Sequence, residues 1–161
     1  MQTAKRKCQN GAQMAQMGDS GLNGPSIIRF EMPMLPPSVN HLTEHPAAGV
    51  HPKSAAAKAF MRDFPIFARD LYAVSASGIF QVTLCYFPGK AQRGDADNYN
   101  KLILDCAAKR GMFRDAKGKE LSDAWVKRLI VEIYDSLPCR EIGPKTIMTI
   151  EAIECLTMQQ F

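Results

Sequence analysis

No stretch of this sequence approaches the roughly 20 consecutive apolar residues that a bilayer-spanning helix requires, so no membrane partner is expected. The N-terminus is basic but has no hydrophobic segment behind it, which excludes a secretory leader from the reading. Cysteine is sparse and scattered. Cys8, Cys85, Cys106, Cys139 and Cys155 form no CxxC pair, and their number is odd. That argues against a disulfide framework and a cysteine-ligated zinc site, and for a reducing, cytoplasmic compartment. There is one tryptophan, Trp125, and no internal repeat.

What is present is ordinary for a folded chain. At 161 residues the sequence is long enough for one domain with a real core. Hydrophobic residues make up 46% and charged residues 22%, which excludes wholesale disorder. A net charge of +4 permits a polyanionic partner without requiring one.

Residues 1–24 are rich in Gln, Gly, Asn, Met and Ser and carry Lys5, Arg6 and Lys7 in a cluster. They read as a disordered basic tail, either an arm for phosphate or a leader without a role, and residues 25–161 read as the domain. "SIIRFEMPM" alternates Ile28, Phe30 and Met32 against Arg29 and Glu31, the pattern of a first strand, and the prolines of "LPPSVNH" stop it. A helix is predicted from about Ser54, as its N-cap, to Val74, with Pro65 kinking or splitting it. "GIFQVTLCYFP" alternates as a second strand, and the loop "GKAQRG" leads into a second helix. A polar stretch, "RDAKGKELS", then precedes a third strand in "AWVKRLIVEIYD" and a fourth in "KTIMTIEAIE". The order β-α-β-α-β-β implies an α+β fold: a small mixed sheet flanked by helices, with its last two strands forming an antiparallel hairpin.

The second helix opens on a concentration of charge, "QRGDADNYNKLILDCAAKRGMF". Counting about 100° per residue from Asp97, Lys101 falls at about 40°, Asp105 at about 80° and Asn98 at about 100°. Tyr99, Leu102, Ile103 and Cys106 fall at about 140–240° on the same count and form the buried side. Cys106 is thereby a structural thiol, not a nucleophile. Asp95, just before the helix, can turn toward the same point as Asp97. Carboxylate oxygens so placed suit Mg²⁺, with Mn²⁺ able to substitute. Lys90 and Arg93 upstream can hold a phosphate against such an ion, and Lys101 can offset developing negative charge. The plainer alternative stays open: the acids cap the helix and complement its dipole, and Lys101 is an i+4 partner of Asp97 worth about a few tenths of a kcal/mol.

At these residues the sequence resembles the RusA family of Holliday junction resolvases. The likeness rests on Asp95-Ala96-Asp97-Asn98-Tyr99-Asn100-Lys101, on the helix "LILDCAAKRGMF" with its closing glycine, and on the opening "LPPSVN", and it spans Arg29 to Glu154. It implies a Mg²⁺-dependent endonuclease that acts as a homodimer on four-way or related branched DNA, cytoplasmic or nucleoid-associated. It also implies that Asp95 and Asp97 bind the metal and that Lys101 is the catalytic lysine. The third acid is Asp123 in "SDAWV", with Asp115 as the alternative in a Lys-rich loop expected to be mobile. Asn98, Lys90, Arg93, Lys53 and Lys58 are the candidate DNA contacts, and Ser38 and Asn40 either shape a DNA-facing loop or simply form a turn. Two other classes remain: a non-catalytic DNA-binding module of this fold, and a metal-dependent nuclease for ordinary duplex or flapped DNA. Lys53, Lys58 and Arg62 form either a phosphate track or a solvated face. His41, His45 and His51 read as surface histidines, and Trp125 as a core or dimer-interface residue.

Overall fold

Period-two alternation builds the sheet. β1 (Ile27–Met32) buries Ile28, Phe30 and Met32 and exposes the residues between them. Farther along, β3 (Ile79–Phe87) buries Phe80, Val82, Leu84 and Tyr86, and β6 (Lys145–Ile153) buries Thr146, Met148 and Ile150. Between these lie α1 (Ala55–Phe67), β2 (Val74–Ala76), α2 (Asn100–Lys109), β4 (Phe113–Asp115), β5 (Val126–Ile133) and α3 (Leu137–Glu141). The structure is a computed structural model and describes residues 27–41, 43, 53–69, 71, 73–76, 79–90 and 99–153. The predicted tail, residues 1–24, lies outside the described residues.

The class is α+β, with a four-stranded mixed sheet in the order β1-β6-β3-β5. β6 runs antiparallel to both β1 and β3, and β5 runs parallel to β3, joined to it through α2. The expected hairpin between the last two strands does not form. β6 sits between β1 and β3, where its alternating face is fully enclosed, whereas β5 carries mostly exposed side chains and takes the edge. A second, two-stranded parallel sheet, β2 with β4, was not foreseen.

Helices α1 and α2 supply the other half of one core, Ala57, Phe60 and Phe64 from the first and Leu102, Ile103, Cys106 and Ala107 from the second. Phe30 meets Phe64 edge-on with ring centroids 5.8 Å apart, and Phe80 meets Phe113 at 5.1 Å. Ser54 caps α1 as predicted, its hydroxyl accepting the Ala57 N–H at 3.2 Å. The helix then runs unbroken through Pro65, which sits in the last turn, and stops at Phe67 instead of Val74. Val74 is drawn off by tertiary pairing: its N–H donates to the Met112 carbonyl at 2.9 Å and it lies beside Phe113 in the parallel pair. Among the described residues no helix is long and apolar enough to cross a membrane.

The end of α2 is set by Gly111. It adopts φ +68°, and its N–H donates to the Ala108 carbonyl at 2.9 Å while the Met112 N–H reaches the Ala107 carbonyl at 3.1 Å. These two bonds are the pair that closes a helix at a left-handed residue, with buried Met112 and Ala107 as the accompanying apolar contact. A Cβ here would be strained by φ and would meet the Glu120 carboxylate at 2.6 Å, though that flexible side chain can yield. Gly111→Ala is therefore expected to cost about 1–2 kcal/mol. Urea unfolding should show a lower midpoint with an unchanged slope, and an unchanged midpoint would contradict this account of the turn.

Candidate functional site

The first turn of α2 is held to the end of β3 by Tyr86. This side chain is fully buried, its hydroxyl donates to Asn100 Oδ1 at 3.0 Å, and its ring packs on Tyr99 at 5.3 Å. Burial, and then the neighbouring Tyr99, push the phenol far above its usual range, so it remains a donor at any ordinary pH. Sequence reading had treated Tyr86 only as one more alternating strand residue. Its signal was a hydroxyl-bearing aromatic on a core-facing position, which needs a partner.

From that anchor α2 presents two faces. Tyr99, Leu102, Ile103, Cys106 and Ala107 are buried, as the helical count predicts. Lys101 is exposed and Asp105 half-buried on the remaining arc, and neither makes an ion pair among the described residues. Burial, and then Asp105, push the Cys106 thiol up to about 11, so it is neutral at pH 7 and fits the packing role expected of it. The segment that precedes the helix, with Arg93, Asp95, Asp97 and Asn98, lies outside the described residues. Its flanks are described: Pro88 and Gly89 are buried and Lys90 is exposed on one side, and buried Tyr99 stands on the other.

The two candidates for a third acid have different surroundings. Asp123 opens a single 3₁₀ turn, Asp123–Trp125, that runs directly into β5 and packs against α2. Its carboxylate is half-buried and makes no hydrogen bond or ion pair among the described residues. Asp115 ends β4, and its Oδ1 accepts the Lys117 and Lys119 N–H groups, each at 2.8 Å, while its backbone pairs with the Lys119 carbonyl and with Gly118. The loop expected to be mobile at Asp115 is thus a turn that the carboxylate itself closes.

The remaining candidates scatter. Lys53 extends its ammonium to 3.2 Å from Met61 Sδ, Lys58 is exposed on α1, and Arg62 is engaged by Asp63 through two bonds of 2.7 and 3.1 Å. Arg62 thus has a local partner on the exposed face of α1. Ser38 and Asn40 form a turn, the Asn40 N–H donating to Ser38 Oγ at 3.3 Å. His41 is exposed beside them, and His45 and His51 lie outside the described residues. Trp125 is 45% exposed, so the core half of its expectation is corrected: it stands on a surface turn. Among the described residues no three His, Cys, Asp or Glu side chains converge on one point.

Comparison with protein-family models and with curated proteins finds no match. The family resemblance stands on the residues quoted above and on nothing further. Carboxylate oxygens suit a hard cation, and of the two candidates for a third acid Asp123 is the one whose carboxylate is uncommitted among the described residues.

The two acids are therefore expected to respond oppositely to substitution. Asp115→Ala should cost about 1–2 kcal/mol of stability, because it removes an ionised acceptor from two backbone donors. Asp123→Asn should leave the unfolding midpoint unchanged and, on the activity that the family resemblance implies, lower metal-dependent cleavage of branched DNA by at least about a hundredfold. Chemical denaturation of both variants, with a cleavage assay that compares Asp123→Asn with Asp115→Asn, decides it, and loss of cleavage in Asp115→Asn alone would reverse the assignment.

Proposed function

We propose that this chain is a Mg²⁺-dependent endodeoxyribonuclease that resolves four-way or related branched DNA by paired phosphodiester hydrolysis, in recombination and repair. One observation carries the reading: the Asp95-x-Asp97-Asn98-x-x-Lys101 motif ends on the exposed face of a helix that is pinned to the sheet and packs against the turn bearing Asp123.

In this reading Asp95, Asp97 and Asp123 would hold the cation, and a Mg²⁺ ion there would supply an activated water and polarise the phosphoryl oxygen. Lys101 extends its ammonium from the first turn of α2 to offset the negative charge that grows on the phosphorane-like transition state. The Tyr86–Asn100 bond sets the azimuth of α2, so the lysine is positioned before substrate arrives and little reorganisation is left to the reaction. Lys90, Arg93, Asn98, Lys53 and Lys58 take the phosphate backbone, a contact that weakens with salt and is indifferent to sequence. Two symmetric cuts call for two sites related by a two-fold axis, which a homodimer supplies. The protein would act in the cytoplasm or in association with the nucleoid.

Lys101 gives the sharpest test, because a surface role and a catalytic one predict different measurements. Lys101→Ala should fold, bind a synthetic four-way junction within a few-fold of wild type, and cut it at least about a hundred times more slowly, a loss of about 2.7 kcal/mol of transition-state stabilisation. Single-turnover rates beside a binding titration separate the two quantities. Parallel losses of affinity and rate would make it a phosphate anchor, and an unchanged rate would return it to the helix surface.

Asp97→Asn should abolish cleavage while junction binding survives or tightens, since it removes a metal ligand and a source of repulsion toward phosphate together. Wild-type cutting by that variant in Mg²⁺ would remove Asp97 from the site.

A further inference from the structure

β5 is an edge strand that leaves much undone. Among the described strands it pairs only with β3. The Tyr134 N–H, one residue past its end, donates inward to the Tyr86 carbonyl at 2.8 Å. Backbone groups alternate sides along an extended strand, so Leu129, Val131 and Ile133 turn their N–H and C=O groups outward. Apolar side chains are uncovered on both faces of the strand: Leu129 is 41% exposed on the core side of the sheet and Ile130 is 36% exposed on the other. A long edge of this kind is a template for another strand unless charge or proline blocks it.

β5 has charges, Lys127, Arg128 and Glu132, and their spacing suits a second copy of the same strand. A two-fold axis perpendicular to a sheet sets two copies of an edge strand antiparallel and keeps facing residues on the same face, so the axis passes through one residue. The central choices are Leu129, Ile130 and Val131. An axis at Ile130 places Arg128 opposite Glu132 of the second copy, twice, and Leu129 opposite Val131 of the second copy, and it leaves exposed Lys127 facing Ile133 at the strand's end. The axis at Leu129 sets Arg128 against Ile130 and Glu132 against Val126. The axis at Val131 sets Arg128 against Tyr134 and Glu132 against Ile130, and its one opposite-charge match, Lys127 with Asp135, falls past the end of the strand on an aspartate that Arg140 already holds. Opposite charges placed directly across strands are favourable, and unpaired ones are not.

We infer that β5 is the docking surface for a second copy of this chain, antiparallel and centred on Ile130, giving one continuous eight-stranded sheet. The groups are free to make the contact. Among the described residues Arg128 holds only the amide oxygen of half-buried Gln81, at 3.1 Å, and the two bonds to Glu132, from the Tyr134 hydroxyl and the Cys85 thiol, both use Oε2. Among the described residues the opposite edge, β1, exposes an apolar side chain only at its first residue, Ile27. Its core-facing Ile28, Phe30 and Met32 are enclosed, Glu31 is paired with Lys145 at 3.2 Å, and prolines follow it. A dimer as such belongs to the reading above; the surface and its register are added here and stand on the edge strand alone, independent of catalysis.

The test is sedimentation equilibrium of the full chain without DNA or metal, so a failure here is separate from any failure to cut. Wild type should dimerise. Arg128→Glu puts like charges opposite each other twice and should raise the dimer Kd about tenfold or more, and Glu132→Arg should do the same. The exchange of both, Arg128→Glu with Glu132→Arg, should return the Kd to within about threefold of wild type. Arg29→Glu on the other edge should change nothing. A wild type that stays monomeric at about 100 μM, single variants that dimerise normally, or a charge exchange that rescues nothing would each overturn the proposal.

Discussion

Burial of one face of β3 constrains everything around it. Phe80, Val82, Leu84 and Tyr86 are completely enclosed, and each of these large side chains is worth about 1.5–3 kcal/mol when fully removed from water. No single neighbour encloses them. The strand needs a partner on each side and a helical layer above, and the chain supplies β6 on one side, β5 on the other, and α1 and α2 on the face. Because β6 is the last strand among the described residues and pairs with β1, the first, the sheet closes only when residues far apart in sequence meet. Such long-range pairing makes folding slower than a local hairpin would. It also decides which strand is left at the edge.

The same face positions the candidate site. Tyr86 is both the last core residue of β3 and the hydrogen-bond donor to Asn100, so packing of the sheet fixes the start of α2. The far end of α2 is fixed by Gly111, and the chain returns through β4 and the Asp115 turn to deliver Asp123 against the helix it left. Lys101 and Asp123 thus sit on two short elements that lean on each other, each rooted in β3 or in its parallel partner. A site held by packed elements keeps its geometry better than one held by loops alone.

Much of this could be read from the sequence, for a physical reason. β1, β3 and β6 face the core on one side only, so their alternation is written in the residues. Ser54 announces its cap, and the arc of Tyr99, Leu102, Ile103 and Cys106 announces the buried side of α2. What stayed hidden depends on partners distant in sequence. Val74 continues a helical pattern but is claimed by Phe113, and nothing local marks that pairing. β5 followed by a turn and β6 reads as a hairpin because adjacency is the only local guide, whereas the tertiary solution inserts β6 beside β1. Asp115 reads as a loop acid because a carboxylate that caps its own turn has the same one-letter code as one that binds a metal. The charged motif itself was legible as residues, but its role rests on resemblance and on the tests above.

The most direct measurement is cleavage of a synthetic four-way junction by the purified full-length chain, with Mg²⁺ and with a chelator, beside a linear duplex of the same sequence. The account predicts paired, symmetrically placed nicks in the junction, dependent on the metal, with the duplex intact. Tight junction binding without cleavage in Mg²⁺ or Mn²⁺, or equal cutting of the duplex, would contradict it.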